Sequence, residues 1–325
     1  MKNAKPILLL ASSLLLVGCS QSDQGSSSVV PPTGSEVSEE AMTIHYAKAL
    51  EAMDEAKAVG MALTGEAKLN YSVESSLTQS EETKTYSKAV KAEISNLSAS
   101  FGMKKDGDDV KMSAKASANY AYESSVTGTL FASEPSLSYS GNASVSTYYA
   151  DKTIYIDQTG LSSIISIFNS DPKRVDLKRK QSVTGPSFDW DSVDEALNKL
   201  SEVAASSDSI QAKDGTYSFV YTIDPNTLVD SPSNVLDFKT NVEGDVKVWL
   251  SFTEDGFSEA GLSANFGNVS SISGEGGWAT TSGNSEKLEV SATLKATFSY
   301  GDKVTVEEVA DPENYVGENT STEAN

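Results

Sequence analysis

The 325-residue chain has one cysteine and one histidine, and its 25 Lys and Arg stand against 46 Asp and Glu, for a formal charge of −21. Each shortage excludes something. One cysteine forms no internal disulfide. One histidine provides no His cluster for zinc, and the base most often used by Ser or Cys nucleophiles would have to be His45 itself. The deficit of basic side chains argues against a nucleic-acid partner, whose phosphates are held by clustered Lys and Arg that displace counterions. The sequence also lacks a Walker loop, a Gly-x-Ser-x-Gly elbow and a dinucleotide fingerprint. Asp106-Gly107-Asp108-Asp109 does not continue into a twelve-residue calcium loop with its terminal Glu. Acid pairs such as Asp189/Asp191 and Asp194/Glu195 are common at this composition, and nothing in their spacing makes them converge as glycosidase chemistry requires. The expectation is a binding protein without cofactor or metal, not an enzyme.

What is present begins with an address. Lys2 and Lys5 precede the apolar run 7–17 (ILLLASSLLLV), which is shorter than the ~18–20 residues needed to span a bilayer and has the form of a secretory signal. The run ends in Leu16-Val17-Gly18-Cys19, and this ending resembles a bacterial lipoprotein signal. The resemblance implies that Cys19 carries a diacylglyceryl thioether, that cleavage precedes it, and that the chain is anchored by acyl chains such as palmitate on the extracytoplasmic face of the cell membrane. Two acyl chains suffice for stable anchoring where one is marginal. Without residues 1–18 the formal charge is −23, so an anionic membrane surface should repel the body everywhere except at its anchor. Residues 19–37, rich in Ser, Gly, Pro and acid, read as a flexible tether. The stretch from Asp311, and with it the segment 312–325, reads as an acidic tail. Residues 38–311 remain for the folded domain.

Ser38 is placed to cap a helix with Glu39 and Glu40 in its first turn, and Met42, Tyr46, Ala49, Leu50, Met53, Ala56, Gly60 and Leu63 recur at helical spacing until Gly65. His45 lies at the edge of that stripe and reads as a structural histidine. Beyond Gly65 the period changes to two. Ala67, Leu69, Tyr71, Val73 and Leu77 form one dry face, Ala92 and Ile94 a weaker one, and Val110 to Tyr122 the cleanest. Strands continue through Leu137, Tyr139, Ala143, Val145 and Tyr149, then turn at Asp151-Lys152 into residues 153–157. Residues 161–168 (LSSIISIF) and a capping box at Ser192-Val193-Asp194-Glu195 predict two middle helices. Strands then resume at Tyr217 to Ile223. They continue, after a crossover over 225–238, at Val246 to Phe252, Phe257 to Phe266, Leu288 to Phe298 and Val304 to Val306.

One helix, many strands, two helices and many strands do not alternate as a parallel βαβ sheet does. Together with the tether feeding the first amphipathic helix, and the closing stretch 288–308 leading to Asp311-Pro312-Glu313, this order resembles the LolA/LolB-like superfamily, including lipoproteins of the LppX and LprG type. That resemblance covers most of 38–311. It implies an α+β fold in which one curved antiparallel sheet, a half-barrel, has helices across its concave face, and it implies carriage of a lipid. These strands are richer in Ser and Ala than the family pattern, and the chain is longer than its smallest carriers.

The dry faces set aromatic residues beside very small ones. Tyr71, Tyr120, Tyr139, Phe219, Tyr221, Phe252 and Phe298 share them with Ala114, Ala116 and Ala118. If the helices stand off the alanines, the gap is a hydrophobic cavity for an acyl chain or similar ligand. If they close on them, it is a thin core, and the protein works through its surface. Five basic residues within eight positions, Lys173, Arg174, Lys178, Arg179 and Lys180, form a candidate contact for an anionic headgroup, or else a solvated loop. The partners expected are a membrane through the anchor and a hydrophobic ligand, with no nucleic acid; a protein partner is not readable.

Overall fold

The computed structural model describes residues 29–79, 82–107, 109–129, 135–168, 177–183, 191–227, 242–276 and 279–317. The signal segment, Cys19, Lys173, Arg174, Asp189 and most of the 225–238 crossover lie outside the described residues.

Ser38 caps helix α1 (Glu39–Glu55), its side chain accepting from the Ala41 N–H at 3.4 Å. The helix is shorter than its periodicity suggests. Gly60 and Leu63 belong instead to strand β2 (Ala58–Gln79), where Val59, Met61 and Leu63 alternate into the core. The segment satisfies both periods, and pairing on both sides, with β3 (Glu82–Asp106) and β12 (Ala279–Tyr300), decides for the strand.

From β2 the chain meanders through β3, β4 (Asp109–Gly128), β5 (Leu137–Ala150) and β6 (Thr153–Asp157) to β7 (Lys178–Ser182), with the short helix α2 (Ser162–Phe168) before β7. The β5–β6 hairpin turns on Asp151 and Lys152, both at positive φ (51° and 57°), the conformation of a type I′ turn. The chain then passes to the other edge of the sheet with helix α3 (Asp191–Val203) on the way. It meanders back through β8 (Ala204–Gln211), β9 (Tyr217–Ile223), β10 (Glu243–Thr253) and β11 (Gly256–Gly276), and β12 lies against β2. The result is one open thirteen-stranded sheet, capped at its edges by two-residue strands β1 (Ser35–Glu36) and β13 (Val316–Gly317). All pairs are antiparallel except β7 with β13. The protein is therefore β-rich, with few helices.

Strand β3 is regular only because it is interrupted. Its inner residues are Leu97, Ala99, Phe101 and Met103 on one side of Asn96, and Val90, Ala92 and Ile94 on the other, so the parity flips. A β-bulge at 95–96 absorbs the extra residue against both neighbours, and Asn96 adopts φ 51°. Asn tolerates this region better than any β-branched residue. Asn96→Val should cost about 1–2 kcal/mol in urea unfolding while Asn96→Gly stays near neutral; equal costs would refute the bulge's role.

The face on which α1 packs is the inner face. Met42, Ala49 and Met53 of α1 bury against Val59, Met61 and Leu63 of β2, Ala99, Phe101 and Met103 of β3, and Leu250, Phe252, Phe257, Ala260 and Ala296 of β10 to β12. A second cluster joins Leu200 of α3 to Tyr221, Ile223, Val246, Val248, Leu262 and Ala264.

The opposite, outer face is Ser-, Lys- and Glu-rich and is crossed by residues 304–317. Val304, buried, lies over Gly60; the Thr305 carbonyl lies over Gly102; the Glu307 N–H donates to Ser113 Oγ at 2.9 Å; and Glu307 pairs with Lys115. Further along, Lys180 Nζ donates to the Pro312 carbonyl at 3.2 Å, and Tyr315, buried, meets Tyr155 edge-on at 5.4 Å. Two expectations change here. Val304 to Val306 run as a strap without strand pairing, and the chain expected as a tail from Pro312 docks on β7 as far as Gly317.

Burial, with Asp157 nearby, pushes the Tyr315 hydroxyl up to about 12. An unfolded Tyr titrates near 10, so this increment of stability is complete below about pH 10 and is lost as pH rises through about 12. Between about pH 9 and pH 12 the wild type should lose up to about 2 kcal/mol more than Tyr315→Phe by urea unfolding; parallel losses would count against a docked Tyr315.

Candidate functional site: the inner face of the sheet

Strand register places all ten dry-face candidates on the inner face, but it divides them between two environments. In the half of the sheet that carries α1, two of the alanines pack against the core. Phe219, Phe298, Ala114 and Ala116 pack against the cluster containing buried Phe252, and Tyr221 lies under Leu200 of α3. Tyr46 of α1 sits edge-on to Phe219 and Phe252 with ring centroids 5.4 Å from each, and Phe257 meets Phe298 at 5.8 Å. The Tyr46 hydroxyl donates to Asp194 Oδ1 of α3 at 2.5 Å, tying the two helices together; burial first, and then Asp194, raises its pKa. Tyr300, whose hydroxyl donates to the Phe257 carbonyl at 2.7 Å, is raised by burial.

The other half is open among the described residues. Strands β2, β3, β4, β11 and β12 have 20 to 25 residues each, roughly 65–80 Å at strand rise, whereas the 17 residues of α1 measure only about 25 Å. The helix cannot cover such strands. Beyond it, Tyr71, Ala118, Tyr120 and Tyr139 belong to neither buried cluster, and Leu69 and Ile94 are 36% and 44% exposed. Rows of paired residues run across this face: Val290, Leu69, Ala92, Tyr122 and Tyr139 in one, and Leu288, Tyr71, Val90, Ser124 and Leu137 in the next. Tyr122 stacks on Tyr139 at 6.4 Å, Tyr120 donates to Ser163 Oγ of α2 at 3.3 Å, and Tyr71 hydrogen-bonds Glu286. Burial and Glu286 both raise the Tyr71 pKa.

Leu69, Val90, Ile94 and Tyr122 were absent from the candidate set read from the sequence. Leu69 and Ile94 carried the alternation signal, but their exposure depends on how far α1 reaches.

The basic cluster is divided. Lys178 and Lys180 stand on β7 rather than in a loop, on the outer face. Lys178 pairs with Asp157 at 3.5 Å and lies over the Tyr315 ring, and Lys180 holds the Pro312 carbonyl. Both already serve the strap. Arg179, opposite Ile156, points to the other side and is exposed.

Other candidate groups are structurally occupied. His45 stacks on Tyr217 at 4.1 Å and hydrogen-bonds Glu254 at 2.9 Å; Glu195 pairs with Lys199 along α3. Among the described residues no group of three His, Cys, Asp or Glu could hold a metal, and no helix is long and apolar enough to cross a membrane. An open groove of about 770 Å³ is lined by outer-face polar residues including Lys68, Asn70, Asn265, Lys287 and Glu289.

No family model and no curated protein matches the chain. Among solved structures it is similar to the secretin InvG of the Salmonella SPI-1 type III secretion injectisome, at 9% identity over 83% of this chain and 72% of that one, with a TM-score of 0.19. It is also similar to a β-barrel-like protein of domain of unknown function DUF1849 from Brucella abortus (7%, 74% and 98%, TM-score 0.15). A Pseudomonas aeruginosa FadL homologue is a third (6%, 77% and 92%, TM-score 0.17). Likeness at this level establishes neither a shared fold nor a shared function.

Proposed function

We propose that the protein is a non-enzymatic lipoprotein, anchored through Cys19 on the extracytoplasmic face of the cell membrane, that binds or carries a hydrophobic, lipid-like ligand on the inner face of its sheet. In this reading the sheet is a LolA-like half-barrel, with α1 and α3 across one part of the concave side and the ligand in the other. The observation that carries it is the apolar face left uncovered among the described residues around Leu69, Tyr71, Val90, Ile94, Tyr122 and Tyr139, since contiguous exposed apolar surface marks a binding site.

A second reading is favoured by the packing of Phe219, Phe252 and Phe298 beneath α1: a surface interaction or structural lipoprotein with a filled core and no small-molecule ligand. Native mass spectrometry of the purified protein, followed by organic extraction, separates the two. A stoichiometric lipid adduct is the result expected. A clean apo mass that persists after incubation with cell-envelope lipids would transfer the function to the exterior.

A further inference from the structure

Several lysines of the outer face are neutralised in place. Lys68 lies 3.4 Å from Glu93, Lys287 2.7 Å from Glu289 and Lys295 2.7 Å from Glu259, and Lys115 pairs with Glu307. On the inner face of the open half, the register places two cations among the described residues, Lys84 and Lys88 of β3, opposite Leu77 and Val73 of β2. Neither has a carboxylate within ion-pair distance among the described residues. Lys88 is half-buried and faces buried Val126 across the β3–β4 pair.

Among the described residues, the acids sharing this end of the face are Glu82, exposed at the β2–β3 hairpin, and Glu286, which accepts from Tyr71. A half-buried lysine lays its alkyl stem along the apolar face and leaves its ammonium at the rim, where an anion brought by a ligand would supply a counter-ion.

From Lys88 the same strand continues on the inner face through Val90, Ala92 and Ile94, a track of roughly 20 Å and one strand wide, about the length and width of an extended sixteen-carbon chain.

We propose that the ligand is a single-chain lipid with an anionic headgroup, the headgroup held by Lys84 and Lys88 and the alkyl chain laid along Val90, Ala92 and Ile94. This rests on the hydrophobic-ligand reading above and names its chemistry.

The test is isothermal titration of the purified, delipidated protein with two probes of equal chain, oleoyl lysophosphatidylglycerol and oleoyl lysophosphatidylcholine, each below its micelle concentration. The anionic probe should bind about tenfold more tightly. Lys84→Gln/Lys88→Gln should abolish that preference with an unchanged thermal melt, while Lys91→Gln, on the outer face of the same strand, should retain it. Equal affinity for the two probes, or a preference that survives the double substitution, overturns the headgroup assignment and leaves the hydrophobic-ligand reading standing. No binding of either probe to the wild type overturns that reading and this one with it.

Discussion

Gly102→Val should unseat residues 304–317 from the outer face and destabilise the protein by about 2–4 kcal/mol. A Cβ at Gly102 would occupy the space of the Thr305 carbonyl, a backbone group that cannot swing aside as a side-chain end does, so the strap itself must lift. The strap is held by two buried apolar anchors, Val304 at 2% and Tyr315 at 4% exposure, by the Glu307 N–H to Ser113, and by the Lys115–Glu307 pair. Burying each anchor is worth about 1.5–3 kcal/mol, and the exposed ion pair adds little.

Truncation after Lys303 makes the test specific. Val is a better strand former than Gly, so in the truncated chain the same substitution should be neutral or stabilising, a coupling that a double-mutant cycle in urea reads directly. In the full chain, accelerated proteolysis near Glu307 and Glu308 should accompany the loss. A Gly102→Val protein within about 0.5 kcal/mol of wild type would mean that the strap contributes nothing to the sheet.

The parts of this architecture that were legible in the sequence are those where a single local rule operates. Ser38 with Glu39 and Glu40 announced α1, the alternation from Val110 to Tyr122 announced β4, and Asp151-Lys152 and Glu254-Asp255-Gly256 announced hairpins. Three features were not legible, for three reasons. In 58–65 the helical and strand periods coincide, and only pairing with β3 and β12 arbitrates. In β3 the bulge at Asn96 breaks the alternation into two halves of opposite parity, so neither half looks like a long strand. β7 has no alternation at all; Lys178, Arg179, Lys180 and Gln181 are ordered by β6 and by the returning strap. The candidate site was legible as a face and not as an occupancy. All ten residues share the inner side, but how much of that side is covered is set by the length of α1 against strands about three times longer.

That division supplies the decisive pair of substitutions. Ala116→Leu, opposite buried Ala99 at the margin of the core, should cost about 1–3 kcal/mol by overpacking and leave ligand affinity nearly unchanged. Ile94→Asp should do the reverse. Ile94 is 44% exposed, so a carboxylate there stays hydrated in the free protein and should alter stability by no more than about 1 kcal/mol. A bound alkyl chain would strip that hydration from an unpaired charge, a penalty of several kcal/mol, so affinity for oleoyl lysophosphatidylglycerol should fall by about 100-fold or more. Titration calorimetry and urea unfolding of the two variants give four numbers. If Ala116→Leu is the variant that loses ligand while Ile94→Asp binds normally, the ligand lies at the core end of the sheet after all, and the open half serves something else.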